Sequence, residues 1–375
     1  MYSLPSYGAM IADRVRLEAY AAALERTVRP GCVVADLGAG TGIFSLLACR
    51  LGAARVYAVE PDPVIQVARE VAADNGVAER ITFLQELSTA VQLPEPADVV
   101  VWDVRGVLPP FRGSLAAVAD ARRRLLRPGG ALVGRRDTLW AALVEAPESH
   151  AKLVAPADAD ALGFRLAAAR RAAASAWEKA RFTPDQLLSA PARWAEIDYH
   201  ALDGGLAVAG EVELAVERAG TGHGLALWFD ADLAEGAGFS NAPAAPPAIY
   251  GQGFFPFPAP VALAAGANVR VRLGAHPAGG DYVWSWETHL PGRRFAQSTL
   301  AGLLPSLEEL RRGAGDAVPV LGEEGEVERA VLGLMDGART VAEIAREVAA
   351  RFPGRFPAPA DALGRVGRVA RAFGR

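Results

Sequence analysis

A glycine-rich turn at the end of an apolar run constrains this chain more than any other feature. The apolar run covers residues 32–37, the turn covers 38–42, and a helical pattern follows at 43–50. A second apolar run, 56–59, is followed directly by Glu60. Glycines let the backbone approach a ligand closely, and an acid that ends the next strand accepts hydrogen bonds from both hydroxyls of a ribose. The pattern predicts a nucleotide or nucleoside cofactor at the carboxyl end of a parallel sheet.

The spacing within the turn narrows the choice of cofactor. Asp36, Gly38, Gly40 and Gly42 form the pattern D-x-G-x-G-x-G. In the dinucleotide fingerprint G-x-G-x-x-G the last glycine follows after two residues, whereas here it follows after one. The turn resembles that of class I methyltransferases. This resemblance implies S-adenosylmethionine as the cofactor, with Asp36 near its methionine amino group.

Bulk properties restrict the remaining classes of protein. The chain has 375 residues, enough for two or three domains, and its net charge of -4 gives no broad basic surface for nucleic acid. The two cysteines, Cys32 and Cys49, are too few for a disulfide framework. No apolar run is long enough to span a membrane, and the first residues lack the layout of a secretion signal. We expect a cytoplasmic protein with no membrane partner and no metal site, and we disfavour nucleic acid as a partner.

Strand-like runs alternate with helical segments through the first part of the chain. A helix is predicted over residues 12–27, and it ends before Pro30-Gly31. The strand candidates that follow are 32–37, 56–60, 81–84, 97–102 and 131–133. Such alternation predicts a doubly wound, Rossmann-like α/β domain, which we assign to residues 1–145.

The pattern changes after residue 145. Residues 151–182 are rich in alanine and arginine, which predicts helix. Short strand candidates separated by glycine and proline clusters follow over residues 193–290. They predict a second, β-rich domain of barrel or sandwich type at residues 146–305.

The tail, residues 318–375, has a helical pattern of its own. Helices are predicted over 326–335 and 359–373, and the segment from Thr340 to Glu343 has the pattern of a capping box that opens a helix between them. We predict a small helical or winged-helix domain. Four arginines line up on its last helix, at Arg365, Arg368, Arg371 and Arg375. They could bind phosphates or an acidic peptide, or they could simply form a solvated face.

Several segments follow one another in a familiar order. They are Tyr7-Gly8 with Met10, Asp13 and Arg16; the glycine turn; Glu60; Leu87-Ser88-Thr89; Pro128-Gly129-Gly130; Arg136 to Trp140; and Leu227 to Asp230. In this order they resemble the protein arginine methyltransferase family over residues 6–300. The resemblance implies that Arg16 grips the cofactor carboxylate, that Glu60 binds the ribose and that Ser88 lies at the adenine. It also implies a homodimer.

The loop 103–112 departs from that family. Arginine methyltransferases carry two glutamates on this loop, because a guanidinium cation needs two carboxylates to neutralise and orient it. Here Asp103 stands at the first glutamate position and Arg112 at the second. The family's Thr-His-Trp motif becomes Ala248-Ile249-Tyr250. The Thr288-His289 pair lies in the following strand, and we expect its members to be ordinary strand residues.

These departures argue against a guanidinium acceptor. The single carboxylate of Asp103 could accept a proton or a hydrogen bond from an amine, an imidazole or a hydroxyl. Arg105 and Arg112 could bind a carboxylate on the acceptor, or they could form a solvated face of the loop.

The tail resembles a second family. The segment Leu334 to Ile344 is similar to peptide-binding winged-helix modules such as the pyrroloquinoline-quinone peptide chaperone, which bind the leader of a precursor peptide. Our hypothesis is an S-adenosylmethionine-dependent methyltransferase that acts on a peptide or protein, a ribosomally made precursor bound through its leader. One alternative is a true protein arginine methyltransferase in which Glu145 or Glu287 replaces the lost acid. The other is a non-catalytic, cofactor-binding regulatory protein with its tail on DNA.

Overall fold

The computed structural model describes residues 4–154, 164, 166–203, 205–302, 312 and 315–374. The chain divides into two compact units, Met1–Leu303 and Leu304–Arg375. Among the described residues, no helix has both the length and the apolar character that crossing a bilayer requires. The same residues contain no cluster of three or more potential metal ligands.

The first unit begins with two helices and a parallel sheet. The strand order is β3-β2-β1-β4-β5, with every pairing parallel. The helices are α1 Leu4–Ala12, α2 Arg14–Thr27, α3 Ile43–Arg50, α4 Ile65–Asp74 and α5 Ser114–Arg124, and the strands are β1 Val33–Leu37, β2 Arg55–Val59, β3 Ile81–Leu84, β4 Ala97–Trp102 and β5 Leu126–Val133. This confirms the predicted Rossmann-like α/β part. The central strands are almost wholly buried, as expected for a parallel sheet that is covered on both faces.

Strand order brings the functional candidates together. Strands β2, β1 and β4 are neighbours, and they end at Val59, Leu37 and Trp102. The carboxyl ends of parallel strands lie at one edge of a sheet. Glu60, the glycine turn and Asp103, each of which follows one of these strands, therefore meet at that edge.

The rest of the first unit is rich in antiparallel strands. A six-stranded sheet has the order β7-β12-β10-β6-β8, with β11 paired to β10, and a four-stranded sheet has the order β15-β14-β13-β9. The strands are β6 Arg136–Val144, β7 Glu178–Ala180, β8 Ala192–Asp198, β9 Val208–Ala215, β10 Gly220–Ala234, β11 Ala237–Ser240, β12 Gln252–Leu263, β13 Asn268–Ala278, β14 Asp281–Leu290 and β15 Arg293–Ser298. The sheets meet where the ring of Phe255 lies 5.1 Å from that of Trp286.

Strand β6, which precedes our proposed boundary at residue 146, pairs with β8 and β10 of this β-rich part. The boundary itself, and the barrel-like description, stay predictions.

The helical prediction for residues 151–182 is wrong at its end. Helices α6 Pro147–Leu153 and α7 Ala167–Ala173 are present, whereas 178–180 is strand β7, paired with β12. The backbone hydrogen bonds offered by a sheet edge outweigh the modest helix propensity of three residues. Residues 155–163 and 165 lie outside the described part of the chain. A short helix, α8 Thr299–Gly302, closes the first unit.

The second unit has a hydrophobic core made by three helices, α9 Glu323–Leu334, α10 Val341–Arg351 and α11 Pro359–Phe373. The predicted capping box is present, since the Thr340 backbone N–H donates to Glu343 at 2.8 Å and the Thr340 hydroxyl accepts from the Glu343 N–H. Residues 315–374 contain no strand, so the winged-helix classification stays a prediction.

The arginine row on the last helix needs a correction. Arg365 forms an ion pair with Glu324 and lies 3.6 Å from Glu328, so its guanidinium is neutralised within the unit. Arg375 lies outside the described residues.

Candidate active site

A cavity of about 720 Å³ lies at the carboxyl edge of the parallel sheet. Its wall is formed by α1 and α2, the glycine turn, the end of β2, the loop 103–113 and Ile249-Tyr250. Of the predicted site residues, the lining contains Arg16, Gly38, Gly40, Glu60, Ser88, Asp103, Arg105 and Arg112. Asp36 and Gly42 are not part of this lining, although they belong to the segment that carries Gly38 and Gly40.

The glycine turn depends on the absence of side chains. Gly38, Gly40 and Gly42 have φ angles of 70°, 54° and 82°, in the left-handed region that favours glycine. A Cβ on Gly38 would lie 2.7 Å from Val104 Cγ1, and one on Gly40 would lie 3.3 Å from the Tyr7 ring. The turn thus presents bare backbone to the cavity, and Gly42 caps the amino terminus of α3.

Glu60 is held in the cavity wall by backbone groups. Its Oε2 accepts a hydrogen bond from the Gly40 N–H at 3.0 Å, and its Oε1 accepts from the Asp62 N–H at 2.8 Å. Burial raises the pKa of the Glu60 carboxyl, although these hydrogen bonds oppose the rise. Each carboxylate oxygen keeps a free lone pair, so Glu60 can also accept hydrogen bonds from a ribose diol.

Asp36 carries an unsatisfied buried oxygen. Its Oδ2 accepts a hydrogen bond from the Ser45 hydroxyl at 2.7 Å, whereas Oδ1 has no partner among the described residues. Burial raises the pKa of Asp36 to about 7. A buried carboxylate oxygen without a donor is costly, and a ligand ammonium group would satisfy it. Together with the glycine turn and Glu60, this orphan oxygen shows that the residues present fit S-adenosylmethionine.

Arg16 joins the first helices to the loop 103–113. Its Nε forms an ion pair with Asp103, and its Nη1 donates to the Met10 carbonyl at 3.0 Å. Asp13 caps α2 and also accepts a hydrogen bond from the Ile249 N–H at 2.7 Å. Arg16 lines the cavity, and its expected grip on the cofactor carboxylate stays a prediction.

Asp103 is almost completely enclosed. Its side chain is 5% exposed and has three partners, which are Arg16, Arg105 Nη1 at 3.6 Å and the Tyr250 hydroxyl at 2.7 and 2.8 Å from the two carboxylate oxygens. Burial alone would raise the pKa of Asp103, but Arg16 and Arg105 outweigh burial and lower it. The carboxyl therefore stays ionised at neutral pH and is a poor proton acceptor.

The hydrogen bond between Tyr250 and Asp103 was not predicted from the sequence. Burial raises the pKa of the Tyr250 phenol well above its usual value, so the hydroxyl keeps its proton and donates a hydrogen bond to Asp103. The available signal was that Tyr250 occupies the last position of the altered Thr-His-Trp motif.

The interpretation of Arg105 as a ligand for an acceptor carboxylate is wrong. Its side chain is 0% exposed, and its Nε and Nη2 donate to Asp137 at 2.7 and 3.0 Å. Its Nη1 donates to the Tyr20 hydroxyl at 2.7 Å, and the Tyr199 hydroxyl donates to Asp137 at 2.6 Å. A guanidinium already paired with a buried carboxylate has no charge left for an acceptor, so Arg105 anchors the loop instead.

Arg112 differs from Arg105 in its exposure and in its ion pairing. It is exposed at the cavity wall, and its guanidinium carbon lies 4.9 Å from the Phe111 ring centroid. None of the described carboxylates forms an ion pair with it. The cation that the sequence places at the second glutamate position, Arg112, is therefore exposed and forms no ion pair with a described carboxylate.

The two proposed replacement acids lie elsewhere. Glu145 accepts hydrogen bonds from Arg218 and from the Thr221 N–H, both at 2.8 Å, and Glu287 pairs with Arg294 and His289. Neither lines the cavity. Thr288 and His289 are residues of strand β14, as expected.

The chain is similar in sequence to known methyltransferases. The family model described as "Ribosomal protein L11 methyltransferase (PrmA)" matches residues 20–130. The chain is 32% identical over 277 residues to an arginine N(omega)-methyltransferase of Streptomyces achromogenes subsp. streptozoticus, covering 71% of this chain and 74% of the relative. It is 30% identical over 230 residues to protein arginine N-methyltransferase 6 of Xenopus laevis, covering 59% and 68%.

Solved structures show the same fold. The Trypanosoma brucei PRMT1 enzyme-prozyme complex with AdoHcy superposes with a TM-score of 0.72 at 22% identity, covering 78% of this chain and 96% of that one. Arabidopsis thaliana protein arginine methyltransferase 10 gives a TM-score of 0.69 at 19% identity, covering 79% and 97%.

Proposed function

The chain belongs to the arginine N-methyltransferase family and is an S-adenosylmethionine-dependent methyltransferase, and from this premise we propose that its acceptor is an uncharged nucleophile on a peptide or protein, not a guanidinium cation. An amine, an imidazole or a hydroxyl has the required chemistry. The family relationship supports the reaction, and the altered loop 103–112 supports the change of acceptor.

One observation carries the proposal. The only acid of the loop, Asp103, is already engaged by Arg16 and Tyr250, and the other acid position holds the exposed cation Arg112. Two unit charges about 4 Å apart interact by about 4 kcal/mol at an effective dielectric constant near 20. A repulsion of that size costs about a thousandfold in rate. A guanidinium acceptor would meet this penalty without the pair of carboxylates that offsets it.

The residues of the cavity have separate tasks in this proposal. Asp36 and Glu60 hold the amino and ribose groups of the cofactor, and the glycine turn lets its backbone come close. When bound, S-adenosylmethionine supplies the methyl group from its sulfonium to an acceptor lone pair. Asp103 has too low a pKa to take a proton from an ammonium, so the acceptor arrives neutral and Asp103 orients it by a hydrogen bond. The proton that the acceptor releases passes to water.

We extend the proposal to recruitment. The second unit has its own helical core, and its sequence resembles leader-binding modules. The acceptor would then be a ribosomally made precursor peptide whose leader binds to this unit, with the enzyme acting as a cytoplasmic homodimer. Removing residues 304–375 should raise KM for a leader-bearing precursor at least tenfold and leave the rate on short peptides unchanged. Equal KM values with and without the unit would contradict the recruitment step.

A true arginine N-methyltransferase is the second candidate, favoured by the 32% identity to a relative of that name. The deciding experiment incubates the full chain with methyl-labelled S-adenosylmethionine and peptides that each contain one of Arg, Lys, His, Ser or Asp. Total hydrolysis and mass spectrometry then identify the methylated amino acid. We expect label on a residue other than arginine. Efficient formation of methylarginine would contradict the proposal.

A pair of variants sharpens this experiment. Asp103→Glu combined with Arg112→Glu restores two glutamates on the loop, and we expect methylarginine to become detectable. Arg112→Gln is the matched control, because it removes the cation without supplying a second carboxylate. If the double variant remains inactive on arginine while still binding S-adenosylhomocysteine, the loop alone does not set the choice of acceptor.

A further inference from the structure

The end of the loop 103–112 is held in a fixed shape. The Phe111 ring lies against Gly106, where an added Cβ would come within 2.6 Å of two ring carbons. The guanidinium of Arg112 in turn stacks near that ring, at 4.9 Å from its centroid. Gly106 therefore makes room for Phe111, and Phe111 supports Arg112.

The backbone of Arg112 is anchored as well. Its φ is +48°, a left-handed conformation that is uncommon for a residue with a side chain. Its N–H donates to Asp281 Oδ1 at 2.8 Å. Asp281 opens β14 directly after the Gly279-Gly280 turn of the β13–β14 hairpin, and its carboxylate also accepts from the Tyr282 N–H at 2.8 Å. Strain of this kind persists only where surrounding contacts impose it.

Two of the three arginines in the cavity lining already have a carboxylate partner. Arg16 is paired with Asp103, and Arg105 is paired with Asp137. Of the described arginines in the lining, Arg112 is the one with no carboxylate partner. An acceptor carboxylate beside Arg112 would give its guanidinium the ion pair that the described residues do not supply.

We propose that Arg112 is a specificity residue that binds a carboxylate located beside the methylated group of the acceptor, and that Asp281 positions it. The inference rests on the proposed function, since it takes the exposed side of this cavity as the place where the acceptor enters. A guanidinium presents a fork of N–H groups that matches both oxygens of a carboxylate. Asp281 acts only through the backbone of Arg112 and does not touch the acceptor.

The test measures binding and does not depend on methyl transfer. The full chain saturated with S-adenosylhomocysteine is mixed with two pools of the tripeptides acetyl-Gly-X-Gly, in which X is each standard amino acid. One pool ends in a free carboxylate and the other in an amide. Ultrafiltration followed by mass spectrometry quantifies the retained peptides. We expect about tenfold stronger retention of the carboxylate pool, the effect of one charge-assisted hydrogen-bonding contact.

Variants separate charge from position. Arg112→Gln should abolish the preference, and Arg112→Lys should keep part of it, because the charge remains while the fork is lost. Asp281→Ala should weaken the preference several-fold while S-adenosylhomocysteine affinity stays unchanged. Glu287→Gln, at a partly exposed acid of β14 that lies outside the cavity wall, is the matched control and should leave the preference intact.

The outcomes distinguish this inference from the proposed function. Equal retention of both pools, retention of neither, or a preference that survives in Arg112→Gln would overturn it. If methyl transfer proves to act on arginine while the carboxylate preference still depends on Arg112, the proposed function fails and the specificity role stands.

Discussion

The cavity has two sides that are built in different ways. We call the wall with Gly38, Gly40 and Glu60 the cofactor side, and the wall with Asp103 and Tyr250 the proposed acceptor side. On the cofactor side, Gly38 and Gly40 follow β1, and Glu60 follows the neighbouring strand β2. The Gly40 N–H donates to the Glu60 carboxylate, and the Gly38 N–H donates to the carbonyl of the residue before Glu60. On the acceptor side, side chains that are far apart in sequence meet, as in the contact between Tyr250 and Asp103. This difference leads us to expect that substitution of a few side chains can alter the proposed acceptor side while the cofactor side keeps its geometry.

The buried anchor of the acceptor side should give the largest effect. Asp137→Ala leaves the buried guanidinium of Arg105 without its carboxylate, and we expect the free energy of unfolding to fall by about 3–5 kcal/mol. Urea denaturation followed by circular dichroism measures this. Glu211→Ala, which removes an exposed acid paired with Arg272, is the control and should not change the midpoint measurably. A loss no larger than in that control would mean that the pair does not anchor the loop.

The cofactor side should respond to the loss of one charge. Glu60→Gln weakens the acceptor of the ribose hydroxyls, and we expect S-adenosylhomocysteine to bind about 10- to 100-fold more weakly. Isothermal titration calorimetry gives the affinity, with Glu79→Gln on the surface as the control. Unchanged affinity would remove Glu60 from the cofactor site.

The pH dependence of cofactor affinity tests Asp36. Because burial raises its pKa to about 7, Asp36 is neutral below that pH in the free protein, whereas a ligand ammonium favours its ionised form. Below pH 7 binding must release a proton, so the affinity for S-adenosylhomocysteine should fall by up to about tenfold per pH unit as pH decreases. Titrations at pH 8, 7 and 6 should show this fall in the wild type, and Asp36→Asn should flatten the profile. A flat wild-type profile would refute the assignment.

The smallest effect is expected at Tyr250. Tyr250→Phe removes one hydrogen bond from Asp103, which keeps Arg16 and Arg105 as partners. We expect kcat/KM for the methylated peptide to fall about fivefold, corresponding to about 1 kcal/mol, with unchanged S-adenosylhomocysteine affinity. A change in cofactor affinity without a change in kcat/KM would place Tyr250 on the cofactor side.

The same contrast explains what the sequence could predict. The glycine turn and Glu60 are local patterns at strand ends, so a cofactor site at the carboxyl end of a parallel sheet could be predicted from short segments. The burial of Arg105 and its ion pair with Asp137 could not be predicted. Asp137 lies in a strand of another sheet, and only the folded chain brings the two residues together. Strand β7 was missed for a related reason, since its pairing with β12 overrides local helix propensity.

Arg112 shows both limits in one residue. Its place at the second glutamate position could be found by counting residues along the loop. Its left-handed backbone and its support by Phe111 and Asp281 depend on a hairpin 169 residues away, which no local pattern encodes.

The second unit has a helical core of its own, which includes Val331, Val348 and Val366. Because each unit has its own core, we expect heat to unfold the chain in two steps. A scanning calorimeter should record two separate melting peaks, the smaller unit melting first because a short chain buries a smaller share of its surface. Between the two peaks, the chain would retain methyl transfer to short peptides and lose whatever the second unit recruits.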